Sequence, residues 1–342
     1  MFRNSVRLSS FLAPPSVITG RTRLRMGDDA RKSIAAAARL MNQYAGSQAK
    51  VFSECIPRFS DSNHKGQHGR IGVVGGSLEY TGAPYYAATA ALRSGAELAY
   101  LICHPDAAIP IKTYSPELIV LPFLNMEGLP SALATLKRCH AIAIGPGLGR
   151  SSEARQFISE VMKMASNENI PVVLDADALW FLALRDDGPG LIHEATSPVI
   201  ITPNVVEYNR LIPANSDQSV EATRTLYGEN VVVLLKGPTD VVASKGGLIN
   251  VHMPALGSPR RCGGQGDVLS GLTTLYAAWV MMSNASWDQA YIAPYFASAV
   301  TRCAAAISFE AHGRAMLTTD ILDTVGQVFE SAFPSSEFTE KH

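Results

Sequence analysis

A chain of 342 residues with 47% hydrophobic and 17% charged residues has the material for a large folded core, which excludes a disordered or fibrous protein. A formal net charge of −1 gives no pull toward nucleic acid or an anionic membrane. No apolar run in the sequence reaches the roughly 18–20 residues a spanning helix needs, and five scattered cysteines (Cys55, Cys103, Cys139, Cys262, Cys303) read as reduced intracellular thiols, not as disulfides or a Cys-type zinc site.

Residues 1–27 carry Arg3, Arg7, Arg21, Arg23 and Arg25 among serines, and the first acid is Asp28. An Arg- and Ser-rich, acid-free start has the composition of an organelle transit peptide, mitochondrial ahead of plastid. Met26 is placed to serve as a second start for a cytosolic form. A helix is expected over residues 30–44, within an extension spanning 28–49. One catalytic domain is expected from 50 to 335, with a polar tail over 336–342. The connector 58–69 holds His64 and His68, whose neighbouring glycines argue against a metal-binding helix.

From residue 70 onward short apolar runs alternate with helical stretches. Strands are expected over 70–75, 98–102, 118–121, 141–144, 172–174, 199–201 and 231–235, and a hairpin over 240–251 turning at Lys245-Gly246-Gly247. Helices are expected over 82–95, 131–139, 152–166, 178–184 and 205–211, and three apolar ones over 268–282, 288–310 and 319–333. This order predicts an α/β protein: a doubly wound, mostly parallel sheet with helices on both faces. The apolar helices of residues 268–310 could be core or the interface of a homo-oligomer.

In such sheets ligands sit beyond the carboxyl ends of the strands. The unusual residues collect there: Gly145-Pro146-Gly147-Leu148-Gly149, Asp175 and Asp177, Asn204 to Glu207, and Lys236 to Asp240. Asp175 and Asp177 could orient a substrate hydroxyl or a hydrated magnesium ion, or simply cap a helix. Asn204 and Glu207, three apart at a helix start, could reach magnesium-bound water, and equally form a capping box. Lys236 offers a point charge for phosphates.

The strongest signal is Arg260-Arg261-Cys262-Gly263-Gly264-Gln265-Gly266-Asp267, followed by the apolar run 268–282. Glycines let backbone amides approach an oxyanion, and the helix start adds partial positive charge. Asp267 can take a proton from a hydroxyl at the same point. A phosphate cradle beside a general base is the equipment for phosphoryl transfer to an alcohol. The tract Gly72-Val73-Val74-Gly75-Gly76 lacks the G-x-G-x-x-G spacing of a dinucleotide-binding oxidoreductase.

The strings HKGQHGRIGVVGGSLEYTGAPYYAA (64–88), YSPELIV (114–120), GPGLGR (145–150), VVLDADAL (172–179), TPNVVEY (202–208), KGPTDVV (236–242) and RRCGGQGDVLSG (260–271) together resemble the ATP-dependent NAD(P)H-hydrate dehydratases. These have the ribokinase-like fold. The resemblance spans roughly residues 50–330. It implies a lyase that uses ATP as co-substrate, with Mg²⁺, to dehydrate (6S)-NADHX and (6S)-NADPHX, alongside an NAD(P)H-hydrate epimerase. It implies that Gly147, Asn204, Val205, Val206, Glu207, Tyr208, Asn209 and Arg210 contact the hydrated nucleotide. Lys236, Gly237, Pro238, Thr239, Asp240, Gly257, Ser258, Pro259, Arg260, Arg261, Cys262, Gly263, Gly264, Gln265 and Gly266 would contact ATP. Asp267 would be the base. Magnesium would not be fixed by the protein alone, with Glu207 and Asn204 as possible contacts. The alternatives are a ribokinase-like vitamin or sugar kinase that releases a stable phosphoester, and a silent nucleotide-binding protein.

Overall fold

The computed structural model describes residues 28–339 apart from 185–189, 194, 213–216, 218, 252–256 and 284. The expected transit peptide and the last three residues of the expected tail lie outside the described residues. One sheet contains β1 (Arg70–Val74), β2 (Leu98–Ile102), β3 (Ile119–Leu121), β4 (Ala141–Ile144), β5 (Val172–Leu174), β6 (Val199–Ile201), β7 (Val231–Leu235), β8 (Asp240–Ser244) and β9 (Gly247–Val251). Their spatial order is β3-β2-β1-β4-β5-β6-β7-β8-β9. The first seven strands pair in parallel, and β8 and β9 add an antiparallel hairpin at one edge.

Parallel strands must be covered on both faces, so their sequences are apolar throughout rather than alternating. All residues of β4, β5 and β6 are buried. The register sets Ile144 opposite Leu174, Leu174 opposite Ile201 and Ile201 opposite Val233. The next residues of β4, β5 and β6, namely Gly145, Asp175 and Thr202, therefore emerge side by side at one edge. Strand order reverses between β1 and β4, where a doubly wound sheet opens a crevice for ligands.

One face is covered by α1 (Asp28–Ala45), α2 (Ser47–Cys55), α3 (Gly82–Arg93) and α4 (Pro105–Tyr114), together with three long C-terminal helices. The other face takes α5 (Leu129–Leu136), α6 (Ser152–Asn167), α7 (Asp177–Leu182), the short α8 (Gly190–His193), α9 (Val205–Leu211) and α10 (Val220–Tyr227). The C-terminal helices are α11 (Gln265–Met282), α12 (Ile292–His312) and α13 (Thr318–Ala332). Every residue of α11 from Val268 to Val280 is buried, the pattern of a helix enclosed on all sides. α12 is long and apolar enough to cross a membrane by composition, more than the sequence reading allowed. Its most apolar window is 83% buried inside the fold, which marks a core helix. Most of α11 and α12 is thus core of this chain.

The N-terminal segment differs from its expected role as an extension. Phe52 of α2 is fully buried and stacks on Phe296 at 4.5 Å, edge-on to Tyr276 at 4.9 Å. Met41 of α1 is fully buried too. The folded unit therefore begins at α1, not near residue 50. At the other end Phe338 is buried and Thr339 pairs with Phe59, so residues 336–339 are not a free tail. α2, α4, α8 and α10 are not among the expected helices. Pro110 lies inside α4 and argues against a helix by rule. Pro105 instead sits in its first turn and His104 caps it through Asp106. The connector is ordered as well: buried His68 shares a hydrogen bond with Glu97 (2.9 Å), and Trp279 donates to its carbonyl (2.7 Å).

Candidate active site

The ends of β5, β6 and β7 and the start of α11 converge on one cluster of charges. Lys236, following β7, donates from Nζ to Asp175 Oδ1 at 2.9 Å and lies 3.9 Å from Glu207 Oε2. Asp175 follows β5 and is only 2% exposed. Burial would lower the lysine's pKa, but Asp175, Glu207 and Asp267 outweigh it and raise it, so the ammonium stays charged. A Cβ added at Gly266 would lie 3.5 Å from Nζ, which places the ammonium against the first turn of α11.

Asp267 stands in that same turn. Burial first, then the negative charge of Asp175, pushes its pKa up to about 7; Lys236 opposes the rise, while Glu207 and Asp177 add to it. These influences act through desolvation and space, with no hydrogen bond among them. Its carboxylate can therefore accept a proton near neutral pH, as a general base requires. Glu207 is also raised, chiefly by burial.

Glycine geometry shapes the anion cradle. Gly264 caps α11 at φ +102°, and a Cβ there would meet the Tyr86 ring at 2.6 Å. Nothing lies within 4 Å of a Cβ on Gly263. The amides of this loop thus reach the helix start over open space, the arrangement that suits phosphate oxygens. Thr318 Oγ1 donates to the Gly263 carbonyl at 2.6 Å and Arg260 Nε donates to the Met316 carbonyl at 2.7 Å, fixing the loop to the start of α13 and the residues just before it.

Several expected contacts have other employment. Asn204 and Glu207 form a capping box: Asn204 Oδ1 accepts from the amides of Val206 (2.9 Å) and Glu207 (3.0 Å), and Glu207 Oε2 accepts from the Asn204 amide (2.8 Å). Asn204 oxygen is therefore committed to backbone and is poorly placed as a metal ligand. Tyr208 turns into the core, its hydroxyl 2.8 Å from Thr223, so the side chain does not face substrate. Val205 and Val206 are exposed, at 50% and 60%, beside the charged cluster. Asn209 and Arg210 are exposed, and Arg210 lines a cleft with Arg150, Trp180 and Glu207.

Asp240 is buried and holds Arg302, Ser298 and the Gly237 amide. Its carboxylate anchors the loop and is not free for a nucleotide. Arg302 also donates to the carbonyls of Gly237 (2.7 Å) and Pro238 (3.1 Å); nothing in its sequence context, a helix of small apolar residues, marks it. Pro238, Thr239, Pro259, Arg261 and Gly263 are exposed, Gly257 and Gln265 are half-buried, and Ser258 is buried with its hydroxyl accepting from the Arg260 amide. Cys262 Sγ contacts the Met316 carbonyl at 3.2 Å.

Asp177 does not join the cluster as a ligand. It accepts from the Gly149 amide (3.0 Å) and from Arg150 Nε (2.9 Å), tying down the loop after β4. Ala176 between the two aspartates has φ +49° and ψ −116°, a sparsely populated conformation costing about 1–3 kcal/mol, and it separates an inward carboxylate from one directed at the loop. Gly147 has φ +61°, and its Cβ would lie 2.5 Å from the Tyr80 carbonyl oxygen. Packing alone therefore requires glycine there. A Cβ on Gly75 would lie 2.0 Å from the Pro146 oxygen, so glycine after β1 lets two loops touch. Among the described residues no three His, Cys, Asp or Glu side chains are grouped to hold a metal.

A nine-stranded sheet of this order with its charged cluster at the strand ends is a ribokinase-like architecture. A ribokinase-like superfamily protein from Enterococcus faecalis matches it at TM-score 0.65 with 21% identity, over 84% of this chain and 95% of that one. The ADP/ATP-dependent NAD(P)H-hydrate dehydratase from Bacillus subtilis, co-crystallised with ATP/Mg²⁺, matches at TM-score 0.60 with 23% identity, over 82% and 96%. Sequence narrows the class. The family model described as NAD(P)H-hydrate dehydratase matches residues 71–327. The ATP-dependent (S)-NAD(P)H-hydrate dehydratase of Ciona intestinalis is 40% identical over 306 residues, 86% of this chain and 83% of that one. Its Drosophila melanogaster counterpart is 41% identical over 289 residues, 84% and 94%. The chain belongs to the NAD(P)H-hydrate dehydratase family.

Proposed function

We propose that this protein dehydrates (6S)-NADHX and (6S)-NADPHX to NADH and NADPH, converting ATP to ADP and phosphate. The observation that carries the mechanism is Asp267 in the first turn of α11, next to Lys236 and the glycine loop of residues 263–266. Hydration of the nicotinamide ring leaves a hydroxyl at C6, beside the ring nitrogen. Hydroxide leaves poorly, and phosphate leaves well. Asp267 takes the C6 hydroxyl proton as that oxygen attacks the γ-phosphorus of ATP, and the bond to ADP breaks. Lys236 and the loop amides hold charge on the transferring group. The ring nitrogen lone pair then expels phosphate, and loss of a C5 proton restores the dihydropyridine.

Magnesium fits this site as an ion carried largely by the nucleotide phosphates. Three carboxylates face one lysine, leaving excess negative charge, and Glu207 is the group with an oxygen outside the capping box. When bound, the ion would neutralise phosphate charge. The protein's own residues orient the alcohol, accept its proton and cradle the anion.

The test separates dehydratase from kinase. With chemically prepared hydrated NADH, ATP and Mg²⁺, inorganic phosphate and NADH should appear in equal amounts. A phosphoester accumulating without NADH would instead make the protein a small-molecule kinase. An epimerase supplying the S form from the R form follows from the stereochemistry of the substrate. The Arg-rich composition of residues 1–27 supports mitochondrial import, with a cytosolic form from Met26. Residues 1–40 fused to a fluorescent protein should label mitochondria; diffuse cytosolic signal would contradict import.

A further inference from the structure

We propose that Asp175 is a positioning residue for phosphoryl transfer, holding the Lys236 ammonium at the N-terminal end of α11 where the phosphates of ATP arrive. This rests on the reading of the site given above. Asp175 is fixed by its backbone on both sides. Its amide donates to the Ile144 carbonyl at 3.1 Å and its carbonyl accepts from the Ala178 amide at 3.0 Å. A Cβ on the facing Gly145 would lie 1.8 Å from the Asp175 oxygen, so the ends of β4 and β5 lock together. The main chain that carries the carboxylate is therefore fixed, and the side chain is buried.

Lysine is the opposite, a point charge on a flexible four-carbon stem. Its ammonium has three donors. One is spent on Asp175 at 2.9 Å, and Glu207 at 3.9 Å is beyond hydrogen-bonding distance. Donors remain for an anion at the mouth of the loop. A buried ion pair is poor evidence for stability, because desolvation offsets most of its attraction. Placement of a mobile cation explains this pair better. Arg302, which clamps Asp240 and the carbonyls of Gly237 and Pro238, fixes the chain just after Lys236 and leaves the ammonium itself to Asp175.

A double-mutant cycle tests the proposal, with Lys236→Met, Asp175→Asn and the pair combined. It is read in Kd for ATP and in kcat/KM for ATP, so binding reports even where turnover is lost. Wild-type turnover of hydrated NADH reports separately on the underlying function. Lys236→Met should weaken both ATP parameters by at least about 10-fold, and adding Asp175→Asn to it should change them by less than about 2-fold. The double variant carries no unpaired buried lysine, so this comparison survives if Asp175→Asn alone fails to fold. KM for the hydrated nucleotide should stay within about 2-fold of wild type. Asp175→Glu should retain more ATP affinity than Asp175→Asn. A further 10-fold loss on adding Asp175→Asn to Lys236→Met would overturn the proposal, as would a loss confined to KM for the hydrated nucleotide.

Discussion

Asp267, the proposed general base, carries an electrostatic cost. Its pKa of about 7 lies above the ordinary 3.8, so the folded state holds the proton more tightly than the unfolded chain. The resulting stability is complete below about pH 4 and falls away as pH rises toward 7. A shift of that size is worth at most about 4 kcal/mol, and water at the mouth of the site should reduce it to roughly 1–3 kcal/mol. Replacing Asp267 by Asn removes the dependence. Denaturant unfolding should show the variant gaining on wild type between pH 5 and pH 8; an unchanged difference would place the carboxylate in ordinary solvent. In the wild type, kcat/KM should rise with pH through an apparent pKa near 7, since the ionised form is the base. Sequence alone singled out Asp267 as the candidate base, because a carboxylate after three glycines and before an apolar helix has few other uses. It could not show the three acidic neighbours that tune it, Asp175, Asp177 and Glu207, which follow β5 and β6 far from residue 267 in the chain.

Helix starts carry the chemistry at the next scale. α9 begins with a capping box whose Glu207 also faces Lys236, so one N-x-x-E spacing serves the helix and the site together. The capping box was legible in the spacing; the approach of Glu207 to Lys236 was not, because it depends on β7 ending beside the start of α9. α11 begins at Gly264, where φ and space both demand glycine. Gly264→Ala should cost about 1–2 kcal/mol for the left-handed backbone and about 1–3 kcal/mol more for the overlap with Tyr86. Thermal unfolding of Gly264→Ala with and without Tyr86→Ala separates the two: the second change should relieve the overlap and leave the backbone strain. Full recovery would mean that the conformation itself is free of cost. The glycine was readable in sequence, but Tyr86 was not, because that contact exists only once α3 packs beside α11. Arg302 escaped for the same reason: it sits among small apolar residues of α12, and only the folded chain brings it to the loop after β7.

Across the whole molecule, alternation of apolar runs with helices was enough to foresee a parallel sheet, since strands buried on both faces leave no polar alternation. The strand ends followed, and with them the edge that holds the site. The outer boundary of the fold did not. α1 and α2 are amphipathic helices whose apolar faces give no hint of their partners, and they close the core over α11, α12 and α13. Phe52→Ala should therefore lower stability by about 3–5 kcal/mol, as for a large buried aromatic, measured by denaturant unfolding. A change below about 0.5 kcal/mol would make α2 an appendage of the core and not part of it. The most direct measurement of the central claim follows NADH absorbance after mixing hydrated NADH, ATP and Mg²⁺ with wild-type protein or with folded Asp267→Asn. The wild type should generate NADH and the variant should be slower by roughly 10²- to 10⁴-fold. Equal rates would show that another group takes the proton and that the cluster at the start of α11 is not the catalytic centre.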